Sequence, residues 1–144
     1  MKKLIDLLNQ EVANFALLFT KLHQYHWLVK GVRFYQFHQL FEKLYDEVSE
    51  HMDNVAERIL MVGGTPLSTM SDYLKTTTLH EGSGNETDMQ MINQTIYDLT
   101  TIDEELKIAI KQGQDLSDEV TVDLLIGIAR SLQKHLWMLK TLEQ

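Results

Sequence analysis

The residues best suited to chemistry lie in one stretch, EKLYDEVSEHMDNVAER, at positions 42–58. It holds six acids and only two basic residues. Successive residues of a helix are offset by about 100°, so five of the acids share one face, at steps of four, four, three and four residues. Like charges at these spacings repel by roughly 0.2–0.5 kcal/mol per pair, which a bound cation would relieve. The five are Glu42, Asp46, Glu50, Asp53 and Glu57.

Two interpretations of this stripe stay open on pattern alone: a solvated helix face, or a metal-binding face. Two histidines favour the second. His38 lies one turn before Glu42, and His26 lies across a short break in the helical pattern, so both can reach one zone of a helix hairpin. His26 by itself could equally be a core histidine bonded to a carbonyl. Carboxylates with imidazole suit Fe²⁺, Mn²⁺ or Zn²⁺, whereas sites made only of oxygen suit Mg²⁺ or Ca²⁺.

The spacing along the second helix limits how such a site can be built. Asp53 lies fifteen residues beyond His38, which is about 22 Å along a helix at the standard rise. A single chain cannot bring both ends of this helix to one metal ion. A site that uses both must be formed by two chains paired antiparallel along the helix.

The motifs that are missing exclude several classes of site. No histidine has a glutamate three residues before it, so the Glu-x-x-His pairs of a di-iron centre inside one bundle are absent. The zincin, P-loop and α/β-hydrolase motifs are absent as well. The chain has no cysteine, which removes disulfides, iron–sulfur clusters and cysteine nucleophiles and fits a reducing compartment.

The elements that must position these residues are helices, because 144 residues contain one proline and seven glycines. Apolar residues recur at helical steps over 4–29 and again over 37–62, separated by KGVR and followed by a Gly-Gly pair. Residues 63–87 are expected to form a loop with a short helix around SDYLKT. Asn85 or Thr87 is expected to cap a third helix that runs to Gly113.

Ser117, followed by two acids, is expected to start a fourth helix. Four long helices with a long crossover between the second and third predict an all-α bundle of the ferritin-like type, with residues 1–144 forming one domain. The amino terminus is not typical of a signal peptide and no segment reaches membrane-spanning length, so a cytoplasmic protein is expected. A net charge of −8 disfavours a nucleic-acid-binding surface spread over the whole protein.

Residues 21–69 and 123–144 resemble the Dps-type mini-ferritins, the DNA-binding proteins from starved cells. The resemblance is carried by His-Trp at 26–27, a histidine twelve residues on, and Asp-x-x-x-Glu-Arg before Gly-Gly. It covers essentially the whole chain. It implies a hollow homododecamer with a ferroxidase centre at each two-fold interface, which agrees with the two-chain geometry.

The resemblance also implies roles for single residues. His26 and His38 of one subunit would bind iron together with Asp53 and Glu57 of its partner, and Glu42 takes the position of a further carboxylate ligand. Trp27 matches a tryptophan that intercepts radicals or supplies electrons; its alternative is ordinary packing. The cavity-side nucleation acids would be Glu47 and Glu50, with exposed surface as the alternative, and the acidic pore residues would be Asp118 and Asp123, the former also explained by the helix dipole.

The implied function is oxidation of Fe²⁺, typically by hydrogen peroxide, and storage of the ferric product, which protects against oxidative stress. Zn²⁺ or Mn²⁺ are alternative occupants of the same site. Gln39 and Lys43 stand where relatives often have acids, and the long Lys/Arg-rich extension of DNA-binding relatives is not found at either end. The alternatives to a ferroxidase are a DNA-compacting protein with little ferroxidase role and an inert helical assembly.

Overall fold

The computed structural model describes residues 1–142; residues 143–144, the end of the predicted domain, lie outside the described part. Residues 1–142 contain no β-strand, which confirms the predicted all-α class. The helices are α1 (Lys2–Leu28), α2 (Phe34–Met61), α3 (Met70–Thr76), α4 (Asp88–Asp115) and α5 (Glu119–Thr141).

The four long helices form a bundle of two helix hairpins, α1–α2 and α4–α5, with α1 also packed against α4. Residues 62–87 cross from one hairpin to the other and carry α3, as predicted. Each long helix turns one apolar stripe inwards, as the helical spacing of those residues requires. Leu8, Phe41, Leu99 and Leu132 are examples of the fully buried residues. Because the helices of each hairpin are long and continuous, they fix the position of each candidate metal-binding side chain along the bundle axis.

The helix ends refine two expectations. Thr87 caps α4 in a reciprocal arrangement: its hydroxyl accepts from the Gln90 amide at 3.2 Å, and the Gln90 side chain accepts from the Thr87 amide at 2.9 Å. The predicted start of the last helix at Ser117 is wrong by one residue. Helix α4 ends at Asp115, two residues beyond the predicted Gly113. Ser117 has φ 55° and lies in the turn that follows α4, and Asp118 is the N-cap of α5.

A buried polar group that the sequence pattern did not predict fastens the crossover to the bundle. Asn14 of α1 has no exposed surface. Its side-chain oxygen accepts from the Thr77 hydroxyl at 2.6 Å and the Thr78 amide at 2.9 Å, and its nitrogen donates to Glu105 of α4 at 2.7 Å. Glu11, one turn before Asn14, is buried beside Glu105. Burial, followed by the charge of Glu105, raises the pKa of Glu11 well above its usual value, so the fold favours the protonated form of Glu11.

We expect Glu11→Gln to be more stable than the natural chain at alkaline pH. The pKa of Glu11 is higher in the folded state than in the unfolded state, so its stabilising contribution is complete below the unfolded value and lost as pH rises through the folded value. Glutamine imitates the protonated acid at every pH. Thermal unfolding between mildly acidic and alkaline pH, with Glu104→Gln as an exposed control, should show the gap widening as pH rises; a variant that is less stable throughout would contradict this.

Candidate metal centre

The turn between α1 and α2 brings the two predicted histidine ligands together. The helix α1 ends where Val29 takes an extended conformation, and Gly31 has φ 110°, a region that residues with a side chain rarely adopt. The Gly31 carbonyl accepts from the Phe34 amide at 3.0 Å, and Arg33 donates twice to Asp88 of α4, at 3.0 and 3.2 Å. The connection between the helices is therefore short and anchored, and it brings the last helical turn of α1 beside the first helical turns of α2.

His26 and His38 bind each other's backbone across this turn. The Nδ1 atom of His26 lies 2.7 Å from the carbonyl oxygen of His38, and Nδ1 of His38 lies 2.6 Å from the carbonyl oxygen of His26. The two rings stack with their centroids 3.7 Å apart. A carbonyl oxygen can only accept, so the proton of each neutral ring lies on Nδ1. Each Nε2 is left with a free lone pair, the form in which histidine binds a metal.

Glu42 adds a carboxylate to this pair. Its Oε1 atom lies 3.8 Å from Nε2 of His26, and its side chain is half exposed while that of His26 is almost buried. Two imidazole lone pairs and one carboxylate make a donor set suited to Fe²⁺, Mn²⁺ or Zn²⁺. We call His26, His38 and Glu42 the histidine half-site.

Asp53 and Glu57 lie together near the other end of α2, one helical turn apart and exposed. A hydrogen bond that the protonated Glu57 carboxyl group donates to Asp53, and then the charge of Asp53, raise the pKa of Glu57. The two carboxyl groups thus face one point in solvent without a basic side chain between them. We call this pair the acid half-site. It lies about 22 Å from the histidine half-site along α2, given the standard rise per residue.

Within residues 1–142, no three His, Asp or Glu side chains converge closely enough to hold a metal ion, so His26, His38 and Glu42 lie near one another without forming a complete site. The structure brings His26, His38 and Glu42 together, and it brings Asp53 and Glu57 together, but it keeps the two sets apart. Because α2 is one unbroken helix from Phe34 to Met61, no bend can unite them. The donors present in one chain are therefore two separate halves.

Aromatic side chains surround the histidine half-site, and sequence reasoning had singled out only one of them. Trp27 is 68% exposed. Tyr45 stacks on His23 with ring centroids 3.7 Å apart and meets the His26 ring edge-on at 5.4 Å. His23 in turn lies 5.4 Å from the Trp27 ring. Tyr45 follows Glu42 by three residues and His23 precedes His26 by three, which is the spacing that could have identified both.

The predicted nucleation acids have different surroundings. Glu50 is exposed, as a cavity-facing acid would be in an isolated chain. Glu47 is engaged by two histidines: its Oε2 lies 2.8 Å from Nε2 of His135 on α5 and 3.4 Å from Nε2 of His51. The contacts with His135 and then His51 hold the pKa of Glu47 well below its usual value, although the His51 approach is outside hydrogen-bonding geometry. Glu47 thus links α2 to α5 as well as presenting a partly exposed oxygen.

The predicted pore acids also differ. Asp118 caps α5, accepting from the Thr121 amide at 3.1 Å and the Thr121 hydroxyl at 2.6 Å, and it pairs with Arg58 at 3.0 Å. The bonds from Thr121 and the charge of Arg58 lower the pKa of Asp118, against the effect of burial. Asp123 is exposed on the next turn of α5. Asp118 therefore has a structural task that is sufficient to explain its presence, whereas Asp123 remains free for a solvent-facing one.

We expect Gly31→Ala to destabilise the protein by about 1–2 kcal/mol, the cost of placing a side chain in a left-handed backbone conformation. The added methyl group would meet only Asp88, at an ordinary 3.6 Å, so conformation and not collision is the cause. Gly127→Ala is the matched control, since Gly127 lies within α5 with open space around it, and alanine there should be neutral or stabilising. Denaturant unfolding of both variants decides; an unchanged Gly31→Ala midpoint would contradict the prediction.

None of the helices within residues 1–142 is long and apolar enough to cross a membrane.

A family model for the ferritin-like domain matches residues 5–144. The DNA protection during starvation protein 2 of Bacillus anthracis is 44% identical over 139 residues, which are 96% of this chain and 95% of that protein.

Solved structures agree with this similarity. A Dps protein from Bacillus brevis has a TM-score of 0.98 and 38% identity and covers 99% of this chain and 96% of its own. Dps from Listeria innocua, solved after a zinc soak, has a TM-score of 0.93 and 35% identity, with 96% and 94% of the two chains covered. The similarity thus extends over the full length of the chain in sequence and in fold, and the chain belongs to the Dps family of ferritin-like proteins.

Proposed function

We propose that this protein is a ferroxidase and iron store whose centres form between two subunits. The observation that carries the proposal is the division of α2: a histidine half-site at one end, an acid half-site at the other, and no bend between them. An antiparallel pair of α2 helices related by a two-fold axis would set each histidine half-site against the partner's acid half-site, twice per interface. The exposure of Glu42, Asp53 and Glu57 in the single chain supports this arrangement.

Each group has a distinct task in the proposed centre. His26 and His38 bind Fe²⁺ through Nε2, held in that tautomer by the carbonyl each ring bonds. Glu42 completes the first set of ligands. Asp53 and Glu57 of the second chain add negative charge, which stabilises Fe³⁺ more than Fe²⁺ and so favours oxidation. Trp27, exposed beside His26, is placed to intercept oxidants that escape.

The iron is the substrate of the reaction. Two Fe²⁺ ions give one electron each to one molecule of hydrogen peroxide, whose O–O bond breaks. With two waters the products are two units of ferric oxyhydroxide, FeO(OH), and four protons. No one-electron product of peroxide is left over when both ions are oxidised together. Holding two ions close is therefore the protein's main contribution.

We further propose a hollow dodecamer of twelve subunits in which ferric mineral collects. Glu50 and the partly exposed Glu47 are candidates for its nucleation, and Asp123, with Asp118 at the start of α5, for the lining of an iron entry pore. Zn²⁺ or Mn²⁺ can compete for the same ligands, since imidazole and carboxylate suit these ions as well. A metal-soaked relative, the zinc-treated Listeria innocua protein, is consistent with such competition.

The test is to load the assembled protein with Fe²⁺ without oxygen and then add either peroxide or oxygen. We expect ferric absorbance to rise much faster than in a protein-free control, with about one peroxide consumed for two Fe²⁺ ions, as the electron balance requires. Asp53→Asn with Glu57→Gln should abolish the acceleration while the assembly stays intact. Asp72→Asn with Glu104→Gln, which removes one partly exposed and one exposed acid elsewhere, should not. Equal rates with and without the natural protein would overturn the proposal.

The alternative is binding and compaction of DNA, which the name of the Bacillus anthracis relative favours. The net charge of −8 works against it, because affinity for DNA arises mainly from contacts of basic groups with phosphate. We expect no retardation of duplex DNA in a gel at physiological salt. Retardation that weakens steeply as salt rises would support the alternative.

A further inference from the structure

Two carboxyl groups, those of Glu11 on α1 and Glu105 on α4, meet where these helices pack together. Glu11 is 1% exposed. The amide nitrogen of Asn14 donates to both groups, at 3.3 Å to Glu11 and 2.7 Å to Glu105. Among residues 1–142, neither carboxyl group forms an ion pair with a basic side chain. Two carboxyl groups this close repel when both are ionised, so the pair favours a state that holds one proton.

The crossover supplies the third part of this cluster. The Thr78 hydroxyl donates to Glu105 at 2.7 Å, and the Thr78 amide donates to the side-chain oxygen of Asn14 at 2.9 Å. The Thr77 hydroxyl donates to the same oxygen at 2.6 Å. Both threonines lie in the irregular segment that follows α3, whereas the carboxyl groups lie on long packed helices. Residues 77–79 are therefore the part of the cluster that can move aside while the helices stay packed.

The crossover is fastened to α1 at two further points, one on either side of this cluster. The Leu67 amide donates to the side-chain oxygen of Asn9 at 2.9 Å. Lys21 donates to the His80 carbonyl at 2.8 Å. Neither contact contains two facing carboxyl groups. A change in the protonation of Glu11 should thus act on the middle contact and leave the outer two in place.

We propose that the proton shared by Glu11 and Glu105 is a pH-sensitive switch, which holds residues 77–79 against α1 and releases them when the proton is lost. With the proton present, Glu11 donates to Glu105 and Asn14 stays bonded to both. Without it, two negative charges face each other, and their donors are the neutral amide of Asn14 and the neutral hydroxyl of Thr78. Displacement of Thr78 admits water to the buried charge. This inference does not depend on the proposed function.

The direction and size of the effect follow from the proton count. In the closed segment, burial and then the charge of Glu105 raise the pKa of Glu11, whereas water in the open segment would return that pKa towards its ordinary value. Between the two values the closed form holds one proton more than the open form. Opening should therefore become up to about tenfold more frequent for each unit of rising pH in that range, and level off above the folded value.

The test is hydrogen exchange of single backbone amides in the assembled protein, measured over a pH series and corrected for the intrinsic exchange rate. We expect the protection factor of the Thr78 amide to fall by up to about tenfold per pH unit. That of the Leu67 amide, which is bonded to another asparagine of α1, should stay constant. Glu11→Gln should make Thr78 protection independent of pH, because glutamine does not titrate. Glu104→Gln, which removes an exposed acid on α4, is the matched control and should leave the fall unchanged.

Three results would overturn the inference. The first is a Thr78 protection factor that does not change with pH. The second is a fall that persists in Glu11→Gln, since another group would then be titrating. The third is an equal fall at Leu67, which would show loosening of the whole crossover. If Glu11→Gln does not assemble, Glu105→Gln serves instead: it removes the charge that faces Glu11, so the fall should be smaller in total and end at a lower pH, and an unchanged fall would equally overturn the inference.

Discussion

Two inactive variants of this protein are expected to regain iron oxidation when they are assembled together. One variant, His26→Ala with His38→Ala, lacks the histidine half-site, and the other, Asp53→Asn with Glu57→Gln, lacks the acid half-site. In a mixed pair one interface centre combines two damaged halves and the other combines two intact halves. Random equal mixing should therefore restore roughly a quarter of the natural number of centres, because half of the pairs are mixed and each has one good centre of two.

The measurement is the initial rate of ferric absorbance after peroxide addition, on protein unfolded and reassembled from a mixture of the two variants. Each variant reassembled alone should match the protein-free rate, and the natural chain treated in the same way sets the full scale. Complementation cannot occur if all the ligands of a centre come from one chain. Failure to recover activity in assemblies shown to contain both chains would therefore contradict the two-chain centre.

Lys21→Met is expected to lower the free energy of unfolding by about 3–5 kcal/mol, the usual result of leaving one partner of a buried ion pair uncompensated. Lys21 and Asp98 are 3% and 2% exposed, and Nζ lies 2.8 Å from Oδ2. The approach is outside hydrogen-bonding geometry, so Oδ2 has no hydrogen-bond partner among the described residues. Burial raises the pKa of Asp98, and the contact with Lys21 opposes that rise only in part. Lys21 also donates to the His80 carbonyl at 2.8 Å, and so holds the crossover.

The double variant Lys21→Met with Asp98→Leu separates the two effects. It removes both buried charges, and because such pairs contribute little net stability, it should recover most of the loss. What remains lost measures the bond to the crossover at His80. Denaturant unfolding of the three proteins at one subunit concentration is the appropriate comparison, since assembly adds a concentration-dependent contribution. A double variant as unstable as Lys21→Met alone would contradict the charge argument.

The helices could be predicted because their apolar spacing is strong and their ends carry standard signals, such as Thr87 before α4. The polar contacts that fasten the crossover could not be. Asn14 follows Glu11 in α1 with nothing in the pattern to mark either as buried, and their partners lie more than sixty residues away in Thr77 and Thr78 and more than ninety in Glu105. Only the packed fold brings them together.

The site shows the same division. Spacing along α2 identified the acid stripe and separated Asp53 from His38, because a helix converts sequence distance directly into length. The spacing could not reveal that the ring of each of His26 and His38 bonds the backbone carbonyl of the other, since that contact depends on the turn at Gly31. Nor could it show that Asp118 is held by Arg58 of another helix. Which ligands the second chain supplies stays a prediction that the mixing experiment tests.

The length of α2 also governs how scarce iron would be shared among the centres. In an antiparallel pair the two centres of one interface would be about 22 Å apart, the distance between the two half-sites of a single helix. The two centres share no ligand, so iron binding at one would not change iron binding at the other. Ions arriving one at a time would occupy such independent centres statistically, and half-filled centres would outnumber full ones during early loading. Whenever iron is limiting, most occupied centres would thus hold one Fe²⁺ and could supply only one electron to an oxidant.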